Sequence, residues 1–310
     1  MKTSIKFIII AFVVGLFSNC DLERLPFDEI TNENMDAGNV ENITLGTYAK
    51  LKEEYYYKSL HFIGEFGGDN VSLSGTTTDL LYNIYTYRRN NNNHYQARVW
   101  RFTYQMIGSI NQIIQDVEEG VSPESDQVLG ENYFLRGFVY FNLNNIFARP
   151  YNQSPETNLG IPIKTSTDIN DFPPRATVAE VYAQVIKDLK KGAELMQSEK
   201  INIYASKEVA YAYLSRVFLY MGNAIADEGK TGYQLAGEYA DKVISSGRYD
   251  LLKGENFQKY PQFVPEANSE TIFAIRMVKD KDFDDYHMWS YSVCSMYARI
   301  NITGWGEMYP

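Results

Sequence analysis

The feature that most constrains this chain is the recurrence of apolar side chains at three- and four-residue steps, which puts them on one face of a helix. The clearest series comprises Val99, Phe102, Met106, Ile110, Ile113 and Val117, and it stops at Gly120. Similar series begin near Val40, Ser122, Thr177, Ser206 and Gly229. The sequence therefore predicts a mainly α-helical protein.

Several of these series carry helix-start signals. Ser122 and Pro123 predict an N-cap followed by a first-turn proline. Thr177 and Glu180 have the spacing of a capping box, in which each side chain bonds the other residue's backbone amide. Ser206 is predicted to start a further helix. These signals set the predicted boundaries of three helices.

The arrangement of the helices follows from the segments between them. The helices that start at Ser206 and after Gly229 predict an antiparallel hairpin, the unit of tetratricopeptide arrays, although the repeat period is imperfect. The stretch Thr271 to Val278 is short, branched and aromatic, which predicts a strand. The first helix is expected to close at residues 55–57, and residues 61–94 to form a long polar loop. We therefore predict a tetratricopeptide-like helix-hairpin array with long loops and minor β structure.

The N-terminus has the pattern of a secretion signal, predicted over residues 1–19. Lys2 and Lys6 precede an uncharged stretch from Phe7 to Phe17, which is too short to cross a bilayer as a helix. Cys20 follows at the position where a bacterial lipoprotein signal places the cysteine that receives its lipid. An ordinary signal peptide with an incidental cysteine is the alternative. We expect lipidation at Cys20, an acidic tether over residues 20–39, and a helical domain over residues 40–310.

The charge balance excludes one large class of ligand. The chain has 39 acidic and 29 basic side chains and a formal net charge of −10. A protein that binds the nucleic-acid backbone needs clustered Lys and Arg to displace counterions. We therefore expect no nucleic-acid partner.

Motifs for catalysis and metal binding are not recognisable. The three histidines, His61, His94 and His287, are far apart, and no phosphate loop or nucleophile elbow is present. We therefore expect no catalytic residues, no metal site and no cofactor. A glycosidase pair of Glu65 with Asp69 is the enzymatic alternative, and chance pairing among many acids is favoured over it. The acidic stretch from Asp280 resembles a calcium loop only superficially, and a solvated loop is favoured.

Aromatic residues make up 15% of the chain, and 25 of them are tyrosines. Tyr48, Tyr133, Tyr140, Tyr213 and Tyr239 lie on helical stripes and are predicted to be core residues. Six other aromatic residues lie outside the strong helical stripes and between polar residues. One acidic residue of the same kind of polar segment is added to them. These candidate glycan-binding residues are Asp69, Tyr82, Tyr85, Tyr87, Trp289, Tyr291 and Tyr297. A half-buried packing role is the alternative for each ring.

Taken in order, several segments resemble the SusD/RagB family of outer-membrane glycan-binding lipoproteins. They include the signal with Cys20, the helix around residues 44–48, the run at residues 131–141, and the hairpin at residues 205–249. The resemblance implies tetratricopeptide-like helix pairs that support a loop-rich glycan face, a SusC-like TonB-dependent transporter as partner, and no enzymatic activity. It covers the family's N-terminal part, so we expect the chain to be truncated at its C-terminus.

These inferences combine into one functional hypothesis. We expect a non-catalytic lipoprotein, anchored in the outer membrane and exposed at the cell surface, that captures oligosaccharides for import. The alternative is a helical-repeat scaffold of the outer membrane, whose hairpins hold another protein and whose rings serve that interface.

Overall fold

The computed structural model describes residues 37–68, 80–88, 94–227 and 229–278, and over this part of the chain the protein is mainly helical. The helices are α1 Ala37–Leu51, α2 Glu54–Phe66, α3 Leu80–Tyr85, α4 His94–Asp116, α5 Pro123–Phe147, α6 Val178–Leu195, α7 Lys207–Met221, α8 Gly232–Ile244 and α9 Glu255–Gln258. None of the described helices is both long and apolar enough to cross a bilayer.

The predicted helix starts are confirmed at three positions. The Ser122 hydroxyl accepts a hydrogen bond from the Ser125 amide at 3.1 Å, and Pro123 is the first residue of α5. Thr177 and Glu180 form the predicted capping box before α6. Ser206 caps α7 by accepting from the Val209 amide at 3.4 Å. Each cap satisfies a backbone donor that has no partner inside its own helix.

The region after the first helix differs from the prediction. Residues 55–57 do not close α1, because they lie in the first turns of a second helix that continues to Phe66. Helix α3 also lies inside the predicted 61–94 loop. The physical reason is burial, since Leu81 and Ile84 pack with Phe62, Phe66 and Tyr95 in a small second core.

Helices α5 and α6 form a tightly packed antiparallel hairpin. A Cβ added at Gly130 would lie 2.6 Å from Met196 Cγ, and one added at Gly192 would lie 2.8 Å from the Gly130 carbonyl oxygen. Further along, Gly137 faces Leu189 in the same way. Glycine at these positions lets the two backbones approach closely.

Helices α7 and α8 form the hairpin predicted from the sequence. The Ser215 hydroxyl donates to the Ala236 carbonyl at 2.8 Å, and Tyr211 lies 5.7 Å from Tyr239 between ring centroids. Gly222 ends α7 in the left-handed region at φ 64°, a conformation that glycine adopts at little cost. Helix α8 begins ten residues further on, at Gly232.

The β structure is minor and differs from the prediction in place. Strand β1, Leu159–Pro162, pairs antiparallel with β2, Arg175–Thr177, and a register shift separates the pairs Leu159 with Thr177 and Pro162 with Arg175. The strand predicted from Thr271 to Val278 is not formed in those described residues. Instead Phe273 packs 5.5 Å from Phe134, and the Ala274 amide donates to the Asn202 carbonyl at 2.9 Å. That branched, aromatic segment is half-buried against helices and does not join a sheet.

Candidate functional site

A cleft of about 660 Å³ lies between α2 and the C-terminal half of α5. One face of α2 lines it with residues at helical spacing, from Tyr57 through Leu60 and His61 to Gly64. Asn142 and Asn145 line the opposite wall from α5. Its volume falls within the range of about 300 to 1,000 Å³ that is typical of small-molecule pockets.

The cleft combines apolar surface with neutral hydrogen-bonding groups and one acidic residue, Glu65. Asn142 accepts a hydrogen bond through Oδ1 from the Tyr213 hydroxyl at 3.2 Å, and the exposed Asn145 accepts one from Tyr182 at 3.4 Å. Burial raises the pKa of the Tyr56 hydroxyl, which lies beside Asn142. These amides and hydroxyls can both donate and accept, as sugar hydroxyls require.

His61 contributes a further neutral polar group at the mouth of the cleft. Burial lowers the pKa of its imidazole, and the nearby Glu65 carboxylate only partly opposes that shift. The ring stands edge-on to Tyr57, with 6.5 Å between the ring centroids. At neutral pH the imidazole is therefore uncharged and offers one donor and one acceptor nitrogen.

Of the three predicted tyrosines in this region, Tyr87 has the most accessible ring. Its side chain is 62% exposed, its φ is 57°, and its hydroxyl donates to the Gly67 carbonyl at 2.7 Å. That hydrogen bond joins the rim of the ring to the C-terminal end of α2. A left-handed backbone conformation at a non-glycine residue costs on the order of 1 to 3 kcal/mol.

Tyr82 and Tyr85 do not lie in a loop as predicted. Both belong to α3 and are half-buried, because Leu81 and Ile84 direct the adjacent helix face into the second core. The structure thus brings three predicted tyrosines close to the end of α2. The other predicted positions, Cys20, Asp69, Trp289, Tyr291 and Tyr297, lie outside the described residues.

The tyrosines that were predicted to be core residues divide into two groups. Tyr48, Tyr140 and Tyr213 are buried, as predicted, whereas Tyr133 and Tyr239 are only half-buried.

The sequence does not predict the cleft. It predicts a loop at His61, and Asn142 and Asn145 belong to a helix most of whose residues are buried. Asn142, Asn144 and Asn145 fall within four consecutive positions, and asparagine is a poor helix former. This asparagine cluster is the sequence signal for the α5 wall of the cleft. No sequence signal indicates the wall that α2 forms.

Comparison with known proteins places the chain in a family. A family profile described as starch-binding and associating with the outer membrane matches residues 28–219, well over half of the 310 residues. The chain therefore belongs to the SusD-like family. The resemblance inferred from the sequence is confirmed, as is the mainly helical SusD-like fold.

Individual relatives agree with this assignment. SusD-like protein P38 of Formosa agariphila is 25% identical over 261 residues, which cover 80% of this chain and 46% of that protein. A SusD superfamily structure from Bacteroides thetaiotaomicron is 28% identical with a TM-score of 0.67, and the match covers 77% of this chain and 52% of that one. The chain thus spans about half the length of these relatives.

A more distant neighbour shares the fold. It was solved with a xylogluco-oligosaccharide, is 20% identical, and has a TM-score of 0.60. The match covers 77% of this chain and 46% of that one.

Proposed function

We propose that this protein is a non-catalytic glycan-binding lipoprotein that captures oligosaccharides at the cell surface for import by a SusC-like TonB-dependent transporter. The observation that carries the proposal is the convergence of the cleft and the exposed Tyr87 ring on one helix, α2. This convergence occurs in a member of a family described as starch-binding. A protein of the same fold was solved with a xylogluco-oligosaccharide, which also supports a glycan as ligand.

The available contacts suit capture and release. One ring that covers a sugar face removes on the order of 50 Å² from water, which contributes about 1 to 1.5 kcal/mol. The cleft adds several neutral hydrogen-bonding groups to the ring of Tyr87. A total of about −4 to −6 kcal/mol gives a Kd between the millimolar and tens-of-micromolar ranges. A ligand held that weakly is readily transferred.

The proposed membrane location and the proposed transporter partner are supported by different observations. The family profile describes association with the outer membrane. Lipidation at Cys20 would supply the anchor, since acyl chains contribute about 0.8 kcal/mol per buried methylene. The transporter partner follows from the family resemblance of the sequence.

The test is glycan binding by the purified full-length protein. Isothermal titration and affinity electrophoresis would use maltooligosaccharides, xylogluco-oligosaccharides and a broader glycan array. We expect Tyr87→Ala to weaken binding about five- to tenfold, because it removes one ring contact. Asn145→Ala is expected to weaken it by a similar factor through the loss of a hydrogen bond. Incubation with the bound glycan should release no new reducing ends.

Two controls make the result specific. Tyr233→Ala removes a tyrosine of similar exposure, 52%, from α8, away from the cleft, and should bind like the original protein. Tyr87→Phe keeps the ring but loses the hydrogen bond to Gly67, so we expect an intermediate affinity. Capture of the transporter with no retention on any glycan would contradict the proposal and favour the scaffold alternative.

A further inference from the structure

A second polar feature lies where α2 packs antiparallel against α4. Four side chains contact one another there in the order Arg98, Tyr55, Phe102 and Arg101, and the two rings are tilted by 40°. The Arg98 guanidinium carbon lies 3.9 Å from the Tyr55 ring centroid, and the Tyr55 and Phe102 centroids are 5.6 Å apart. The Arg101 guanidinium lies 5.2 Å from the Phe102 centroid. We call these four residues the arginine–aromatic ladder.

The two guanidinium groups have no acidic partner among the described residues. The ion pairs found in those residues engage other cations, and the contacts of Arg98 and Arg101 are with rings. Arg98 is half-buried and Arg101 exposed, so both remain accessible to a ligand.

Two further basic residues, His94 and Lys58, lie near the arginine–aromatic ladder. His94 precedes Arg98 by one helical turn, so His94, Arg98 and Arg101 share a face of α4. The pKa of His94 is lowered, first by burial and then by the charges of Arg98 and Arg101. Lys58 lies over the Phe62 ring on the α2 side, with its Nζ 5.7 Å from the ring centroid.

The geometry of the ladder favours one type of ligand group. A ring that stacks on a guanidinium group holds the plane of that group in one orientation. The N–H edge of the guanidinium stays open to a ligand. Such an edge matches the paired oxygens of a carboxylate or sulfate, and guanidinium is less strongly hydrated than ammonium. A point charge on a mobile lysine would lack this fixed orientation.

We propose that the arginine–aromatic ladder binds an anionic group of the captured glycan, either a uronate carboxylate or a sulfate ester. The inference rests on the proposed glycan-binding function and adds a substrate class to it. Helix α2 contributes Tyr55 to the ladder on its face against α4, and one wall of the cleft on its face toward α5.

Matched probe pairs test the proposal by calorimetry on the full-length protein. The first pair is tetragalacturonate and its methyl ester, which differ in charge at the same sugar. The second is a sulfated carrageenan tetrasaccharide and its desulfated form. We expect the charged member of at least one pair to bind about tenfold or more tightly, with an affinity that falls as salt is raised.

Substitutions test whether the arginine–aromatic ladder causes the preference for the charged probe. Arg98→Gln and Arg101→Gln should each weaken binding of the charged probe about tenfold and leave the neutral probe unchanged. Arg98→Lys keeps the charge but not the planar N–H edge and should recover only part of the affinity. Arg216→Gln is the matched control, because Arg216 is also exposed and lies over a tyrosine ring, at 5.5 Å from Tyr213 on α7.

The outcomes separate this inference from the proposed function. Equal binding of charged and neutral probes, unaffected by either glutamine variant, would overturn the anion site while glycan binding stands. Failure to bind any glycan, charged or neutral, would overturn both. Arg98-dependent sedimentation with vesicles containing anionic phospholipid, without any preference for charged glycans, would also overturn the proposal and indicate a membrane contact.

Discussion

At the scale of single residues, the buried pair Arg136 and Asp188 joins three helices. Arg136 Nε and Nη2 donate to the two Asp188 oxygens at 2.8 and 2.7 Å, and Nη1 donates to Asn111 Oδ1 at 2.9 Å. Burial by itself would lower the pKa of Arg136, but the hydrogen bonds and charge of Asp188 outweigh it and raise the pKa. Arg136 lies in the run at residues 131–141 that carries the family resemblance, but its partner Asp188 is 52 positions away and no local pattern indicates it.

Breaking this pair should be costly. We expect Asp188→Asn to lower the free energy of unfolding by about 3 to 5 kcal/mol, because it leaves the buried arginine without a counter-charge. Denaturant unfolding followed by circular dichroism measures the effect. Glu238→Gln, which breaks the exposed pair with Lys230 (2.8 Å), should cost about 1 kcal/mol or less. Equal effects from the two substitutions would contradict this account.

At the scale of elements, the starts of α5, α6 and α7 are marked by residues next to them in the sequence. The distance between two packed helices instead depends on glycine. Thr177 and Glu180 are three residues apart, so their capping box was predictable from local sequence. Helix α3 was missed because only Leu81 and Ile84 mark its buried face, and two apolar residues do not define a period. Its burial depends on Phe62 and Tyr95 from other helices.

The close contact of α5 with α6 gives a prediction at the same scale. We expect Gly192→Ala to destabilise the protein by about 1 to 3 kcal/mol, because its Cβ would lie 2.8 Å from the Gly130 carbonyl oxygen and force the helices apart. Gly237→Ala is the control, since a Cβ there meets no heavy atom of the described residues within 4 Å. That change should stabilise α8 by about 0.5 to 1 kcal/mol. The midpoints of thermal unfolding compare the two variants, and a higher midpoint for Gly192→Ala would contradict the packing argument.

At the scale of the whole molecule, we predict that lipidation of Cys20 holds the protein at the membrane. Cys20→Ser should move the protein from the membrane fraction to the soluble fraction, because a serine cannot form the thioether to lipid. Fractionation and metabolic labelling with a fatty-acid analogue measure the change. A serine substitution at Cys294 is the control and should leave both readouts as they are. Unchanged fractionation of the Cys20 variant would refute the anchor.

The sequence alone determined the helical class, several helix boundaries and the family resemblance, because these depend on residues a few positions apart. Spacing along one helix decides which face is apolar, and a cap is completed within one turn. Only the tertiary structure decided the cleft and the arginine–aromatic ladder. Tyr55 and Arg98 are 43 positions apart, and Tyr57 and Asn145 are 88 apart (98 − 55 and 145 − 57). Their meeting depends on how helices pack, which no local pattern of side chains specifies.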